Sequence, residues 1–189
     1  MFEILKNKSF RVIARRYFVL NGFDGILTVL GITAGSFSAG VMQPYVLITS
    51  GLGAAIALGI SGISGAYITE KAERLRKFKD LQEAMLCEME NSVQKENVEK
   101  HSIAISLING ASPFFCASLS IVPYLMAHLG LLTMNSAYMF SAGISIALMG
   151  ILGGFLGKIS RENIPIYALK MIGVGLVTAA LSTVLGLGA

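Results

Sequence analysis

Five apolar runs, each long enough to cross a bilayer, decide what this chain can become. They cover roughly Tyr17–Gly40, Tyr45–Thr69, Ser102–Gly130, Asn135–Gly157 and Ile164–Gly188, and about 20 consecutive apolar residues suffice for a spanning helix. In lipid a span must satisfy its own backbone N–H and C=O groups, which an uninterrupted apolar run does as a helix. At 54% hydrophobic and 14% charged over 189 residues, with no Trp, the chain is too apolar for a soluble domain of this size. The reading is an all-α integral membrane protein of five transmembrane helices, with a short cytoplasmic helical segment between the second and third.

Two breaks, Met42-Gln43-Pro44 and residues 130–135, are short enough to close antiparallel hairpins. Five Lys and Arg lie in residues 1–16, seven in 70–101, and two more are Lys158 and Arg161, so fourteen of fifteen fall on one side; the exception, Lys170, is inside the last run. By the positive-inside rule that side is the cytoplasm, and five spans put the C-terminus outside. Basic residues confined to short segments between spans form no stripe for nucleic acid, which is excluded. The chain divides into 1–69 (basic N-terminus and first hairpin), 70–101 (charged cytoplasmic segment) and 102–189 (third to fifth spans). No cleaved signal peptide is expected, because no short apolar stretch with a small-residue cleavage site follows the basic N-terminus. Cys87 and Cys116 suggest neither a disulfide nor a zinc motif.

One charge interrupts the apolar stretch between Arg16 and Glu70, and it is Asp24. A carboxylate in hydrocarbon costs several kcal/mol or more unless it is neutralised, paired or hydrated, so it marks a pathway or a site. About 24 Å below the end of its helix near Gly40, it belongs to the cytoplasmic part of the layer. Gly22, Gly25, Gly31 and Gly35 allow a helix or a hydrated ion to approach the backbone. The competing reading is a local pair with Lys170, which can otherwise snorkel to the interface. A weak tandem repeat relates Asn21-Gly22 to Asn109-Gly110, and 56–59 to 146–150. Both hairpins would then run in the same direction, with Ser112 near the place of Asp24.

Residues 70–101 carry seven Lys/Arg and eight Asp/Glu. Apolar positions at helical spacing, Leu75, Phe78, Leu81, Met85, Met89 and Val93, predict a helix continuing to about Asn91, then a turn and a shorter helix. Asp80, Glu83, Cys87 and Glu90 share the opposite face, either as cation ligands or as a solvated surface. Glu96 and Glu99 lie on one side of the second helix. His101 and His128, on opposite sides of the membrane, read as packing residues. The glycines of 59–65 and 150–157 suit close helix contacts. With no Ser/His/Asp set, phosphate loop or paired catalytic acids, the chain is not read as an enzyme.

Asn21-Gly22-Phe23-Asp24-Gly25-Ile26-Leu27-Thr28, followed by Gly31 and Ala34-Gly35, resembles the first-helix signature of the vacuolar iron transporter family. Five spans, the charged segment after the second, and Gly65-Ala66-Tyr67-Ile68-Thr69 are similar as well. The resemblance implies a homodimer that moves iron(II), and often manganese(II), out of the cytosol in exchange for protons. It also implies that Asp24 lines the ion path at the dimer interface. A metal-gathering cytoplasmic module would correspond to Glu83, Glu90, Glu96 and Glu99, with Met85 and Met89. Where that family commonly carries a Met and, four residues on, a Glu, this chain has Gly62 and Ala66, which affects affinity or ion choice.

The favoured mechanism is proton-linked export of a divalent cation accepted by Asp24, with metal and proton excluding one another there. One rival is a non-transporting scaffold or metal sensor of the same fold, which would bind metal without flux. Another is a transporter of a different small solute with Asp24 as proton relay.

Overall fold

The computed structural model describes residues 8–85 and 93–188. These form five helices: α1 (Lys8–Ser38), α2 (Pro44–Met85), α3 (Val93–His128), α4 (Met134–Ser160) and α5 (Ile164–Leu187). Each contains a stretch long and apolar enough to cross a membrane. Helix α2 has 42 residues, about 63 Å at 1.5 Å per residue, roughly twice the hydrocarbon thickness of about 30 Å. Its charged C-terminal part therefore projects beyond any bilayer that its apolar part crosses.

The charged segment differs from expectation in one respect. The expected end of the first helix near Asn91 falls outside the described residues, but the shorter helix expected after it is not separate. Val93 to His128 run as one helix, since residues 93–101 contain no Gly or Pro to end it and lead straight into the apolar run.

Both hairpins close in the same way. Gly40 and Gly130 take left-handed φ of 71° and 76°, which glycine adopts without a Cβ penalty. The following N–H groups reach back to helical carbonyls: Val41 N–H donates to Ser36 O at 3.0 Å and Leu131 N–H to Met126 O at 2.9 Å, the Schellman arrangement. Pro44 opens α2, and Thr133 caps α4 by accepting from the Ser136 N–H at 3.3 Å.

Helices α1 and α3 lie side by side at the centre, α2 packs along α3, α4 touches both central helices, and α5 closes the α1–α4 side. Only 6% of the apolar stretch of α5 is buried, so it presents Leu181 and Leu185 outward, as α2 presents Ile56 and Ile60. Lipid suits those faces. Small residues set the interhelical distances: a Cβ at Gly25 would stand 2.5 Å from Pro113 O, and one at Gly153 would stand 2.7 Å from Ala168 Cα. Gly25 and Pro113, like Asn21 and Asn109, are 88 residues apart, and both pairs touch. The two positions that the tandem repeat equates thus meet across the α1–α3 seam.

Toward the hairpin end, buried hydroxyls join three helices. Tyr124 OH donates to Thr33 Oγ1 at 3.0 Å, Thr33 Oγ1 lies 3.3 Å from Ser141 Oγ, and Ser141 Oγ donates to Ser120 O at 2.7 Å. Tyr124→Phe is expected to lower stability by about 1 kcal/mol while leaving transport intact, as read by thermal unfolding in detergent and by vesicle flux.

Candidate functional site

Asp24 stands near the middle of α1, roughly 21 Å from its end at Ser38. Its side chain is exposed on the single chain and borders a cleft of about 410 Å³ between α1 and α2, with α3 as the floor. Six waters around a cation need about 180 Å³ at about 30 Å³ each. The cleft accommodates a hydrated ion.

The polar lining comes from three helices: Tyr17, Asn21 and Asp24 of α1, Ser61 and Thr69 of α2, and Asn109 of α3. All of these present oxygen or amide groups, and the lining contains no Met, Cys or His. Among the described residues, no three His, Cys, Asp or Glu side chains converge to hold a metal ion. Among the described residues that line the cleft, Asp24 is the one carboxylate. Ser112, which the weak repeat sets near the place of Asp24, is 1% exposed and donates to Phe18 O at 2.5 Å. One position is an open acid and the other a sealed packing contact.

Amide hydrogen bonds hold the floor. Asn21 Nδ2 donates to Tyr17 O at 3.1 Å and also to Asn109 Oδ1, while Asn109 Nδ2 donates to Gly62 O at 2.8 Å. This relay ties α1 to α3 and α3 to α2 directly beside Asp24. Buried amides placed this way stay satisfied and fix the spacing of the helices that carry the carboxylate.

Among the described residues, Asp24 forms no ion pair. Lys170, the partner weighed from sequence, is exposed and lies 5.2 Å from the centroid of the Tyr167 ring on its own helix. Gly62 and Ala66 both border the cleft. A Cβ at Gly62 would stand 3.0 Å from Gly110 Cα and 3.1 Å from Asn109 O, so even a methyl there needs the α3 backbone to give by a few tenths of an ångström and a longer side chain needs more. Gly65, with nothing within 4 Å of a built Cβ, is the free position on this wall.

The linker acids separate. Glu83 is exposed on the projecting part of α2. Glu99 is exposed as well, and its Oε1 lies 3.6 Å from Lys71 Nζ and accepts from Tyr67 OH at 3.5 Å. Glu90, Cys87, Met89 and the side chain of Glu96 lie outside the described residues. His101 packs edge-on against Phe10 at 5.6 Å between centroids, and His128 is exposed at the end of α3.

Sequence reasoning noted Asn109 only for the repeat and did not bring Tyr17 or Glu70 near Asp24. Tyr17 OH donates to Glu70 Oε1 at 3.2 Å, and Arg74 Nε stands 3.4 Å from Glu70 Oε2. The four-residue spacing of Glu70 and Arg74 was a legible sign of a helical pair. Nothing in sequence joined Tyr17 to Glu70 across 53 residues.

A profile of the VIT family, the vacuolar iron transporters, matches residues 15–101 and 73–187 in two overlapping stretches. The chain is also similar to the uncharacterised protein MJ0645 of Methanocaldococcus jannaschii, 36% identical over 170 residues that cover 88% of this chain and 85% of that one. No solved structure matches. With a central acid in an oxygen-lined cleft and a family match along nearly the whole chain, this protein belongs to the vacuolar iron transporter family, and it is a membrane transporter of divalent metal cations rather than an enzyme.

Proposed function

We propose that the protein exports iron(II), and manganese(II), from the cytosol in exchange for protons, as a homodimer in which Asp24 receives the cation. The observation that carries this reading is the Asp24 carboxylate, at mid-helix depth in a cleft of about 410 Å³, without a basic partner among the described residues. An acid so placed must be hydrated, protonated or bound to a cation. Metal on one side of the cycle and a proton on the other satisfy it in turn, and their mutual exclusion couples the two fluxes. Asp24 is exposed on one chain, so a second copy laid over the α1–α2 face would enclose the cleft and exclude lipid.

The distribution of Lys and Arg supports a cytoplasmic N-terminus and 70–101 segment, with the C-terminus outside. In this arrangement the chain works in three parts. Residues 1–69 supply the ion-binding hairpin, 70–101 the charged cytoplasmic segment, and 102–189 the supporting helices. Glu83, Glu90, Glu96 and Glu99 raise the local cation concentration on the cytoplasmic side through transient contacts.

The test is uptake of iron(II) or manganese(II) into vesicles across an imposed pH gradient. Uptake that rises with the gradient and releases protons supports exchange; uptake indifferent to the gradient removes the coupling.

Ion choice follows from the lining. Oxygen and amide donors suit manganese(II) and iron(II) better than softer ions, which prefer sulfur. Gly65→Met places a thioether in free space on the cleft wall, and zinc(II) should then compete with manganese(II) several-fold better than in the wild type. Gly62→Met meets α3 backbone and is expected to lose folded protein instead. Competition flux and monodispersity in detergent read the two outcomes, and unchanged competition in folded Gly65→Met would count against this wall as the ion's path.

A further inference from the structure

We propose that Glu70 is an ion-relay residue at the inner mouth of the Asp24 cleft, a carboxylate that Arg74 occupies at rest and yields to an incoming cation. This rests on the reading of the cleft as the ion's path. The three described ion pairs near the charged end are not alike. Lys77–Glu73 has side chains 71% and 57% exposed, and Lys71–Glu99 has 39% and 59%. Arg74–Glu70 has 23% and 12%. The first two are solvated surface pairs, whereas Glu70 is mostly withdrawn from water.

Its position is what gives that burial meaning. Tyr17 and Thr69 both line the Asp24 cleft; Glu70 follows Thr69 directly and accepts from Tyr17 OH at 3.2 Å. Tyr17 precedes Asp24 by seven residues on α1, roughly 10 Å toward the charged end. Glu70 therefore sits behind the cleft's charged end, about 10 Å along α1 from Asp24 and one hydrogen bond from its lining residue Tyr17. It also stands one helical turn beyond Ala66, so this chain carries an acid on the α2 side of the passage at its mouth instead of within it.

The hold on Glu70 is incomplete. An ionised carboxylate offers about four acceptor sites, and one described hydrogen bond, from Tyr17, is made to it. Arg74 Nε is buried and has no hydrogen-bond partner, although it lies 3.4 Å from Glu70 Oε2. The pair is thus a charge contact without a well-aligned N–H···O bond. The other cations nearby are engaged elsewhere: Arg16 lies 5.5 Å from the Tyr17 ring centroid and Lys71 lies 5.1 Å from that of Tyr67, with its Nζ 2.9 Å from Tyr67 OH. A divalent cation has twice the charge of Arg74 to offer and meets a carboxylate with unused lone pairs.

The experiment is the manganese(II) concentration dependence of flux in proteoliposomes for Glu70→Gln and Arg74→Gln beside the wild type. Glu70→Gln removes the acceptor and is expected to raise KM about fivefold, while Arg74→Gln removes the competitor and lowers KM by a similar factor. A merely structural pair predicts otherwise, since losing either partner would reduce folded protein and leave KM in place. Movement of both variants in the same direction, or no movement, overturns the assignment. Should Glu70→Gln fail to fold, Arg74→Gln decides alone: KM must fall. Asp24→Asn separates this proposal from the reading it rests on. Full flux in that variant removes the cleft as the path, whereas lost flux there with unmoved KM in the other two removes Glu70 alone.

Discussion

Asp24→Asn is expected to abolish metal-driven proton release and to lower kcat/KM for iron(II) and manganese(II) by roughly 30- to 150-fold. Asparagine keeps the size and a carbonyl oxygen but gives up the charge. A contact to a charged group contributes up to about 3 kcal/mol, and a loss of about 2–3 kcal/mol corresponds to that factor. Asn21 and Asn109 hold the surrounding helices through their own hydrogen bonds, and no described ion pair depends on Asp24, so the variant should fold as the wild type does. Asp24→Glu keeps the charge on a longer stem and should retain part of the flux and its dependence on the proton gradient. Initial rates of vesicle uptake, recorded together with internal pH, give both quantities. Proton release that persists at the wild-type level in Asp24→Asn would place the exchanging group elsewhere.

The second large effect concerns the fold. Gly25→Leu is expected to destabilise the protein by about 3 kcal/mol or more and to leave little monodisperse material. The new Cβ would meet backbone, 2.5 Å from Pro113 O and 2.8 Å from Pro113 Cα, and backbone of two packed helices has no rotamer by which to move aside. Overpacking typically costs about 1–3 kcal/mol even where side chains yield. Separating α1 from α3 would also break the contacts of Asn21 with Asn109 and of Ser112 with Phe18 O. Gly143→Leu is the control, because nothing lies within 4 Å of a Cβ built there. Thermal unfolding and size-exclusion profiles in detergent should show loss for the first and little change for the second; equal behaviour would mean that the α1–α3 seam does not set stability.

The five helices and their hairpin breaks were legible in the chain because a bilayer leaves an apolar run few choices. Some 20 such residues become a spanning helix regardless of their neighbours, and Gly40 and Gly130 stop helices by backbone conformation alone. The lone acid between Arg16 and Glu70 was legible for the same reason: it stands out against hydrocarbon. Its surroundings were not legible. Whether Asp24 faced Lys170, lipid or a cleft depended on helix rotations that small residues determine, and glycine spacing does not say which helix each will meet. Asn109 borders the cleft because α3 lies against Gly62, and Glu70 meets Tyr17 across 53 residues because α2 packs beside α1. Local pattern therefore determined the elements and the single charge, while contacts between distant segments, set by close packing, decided what that charge can reach.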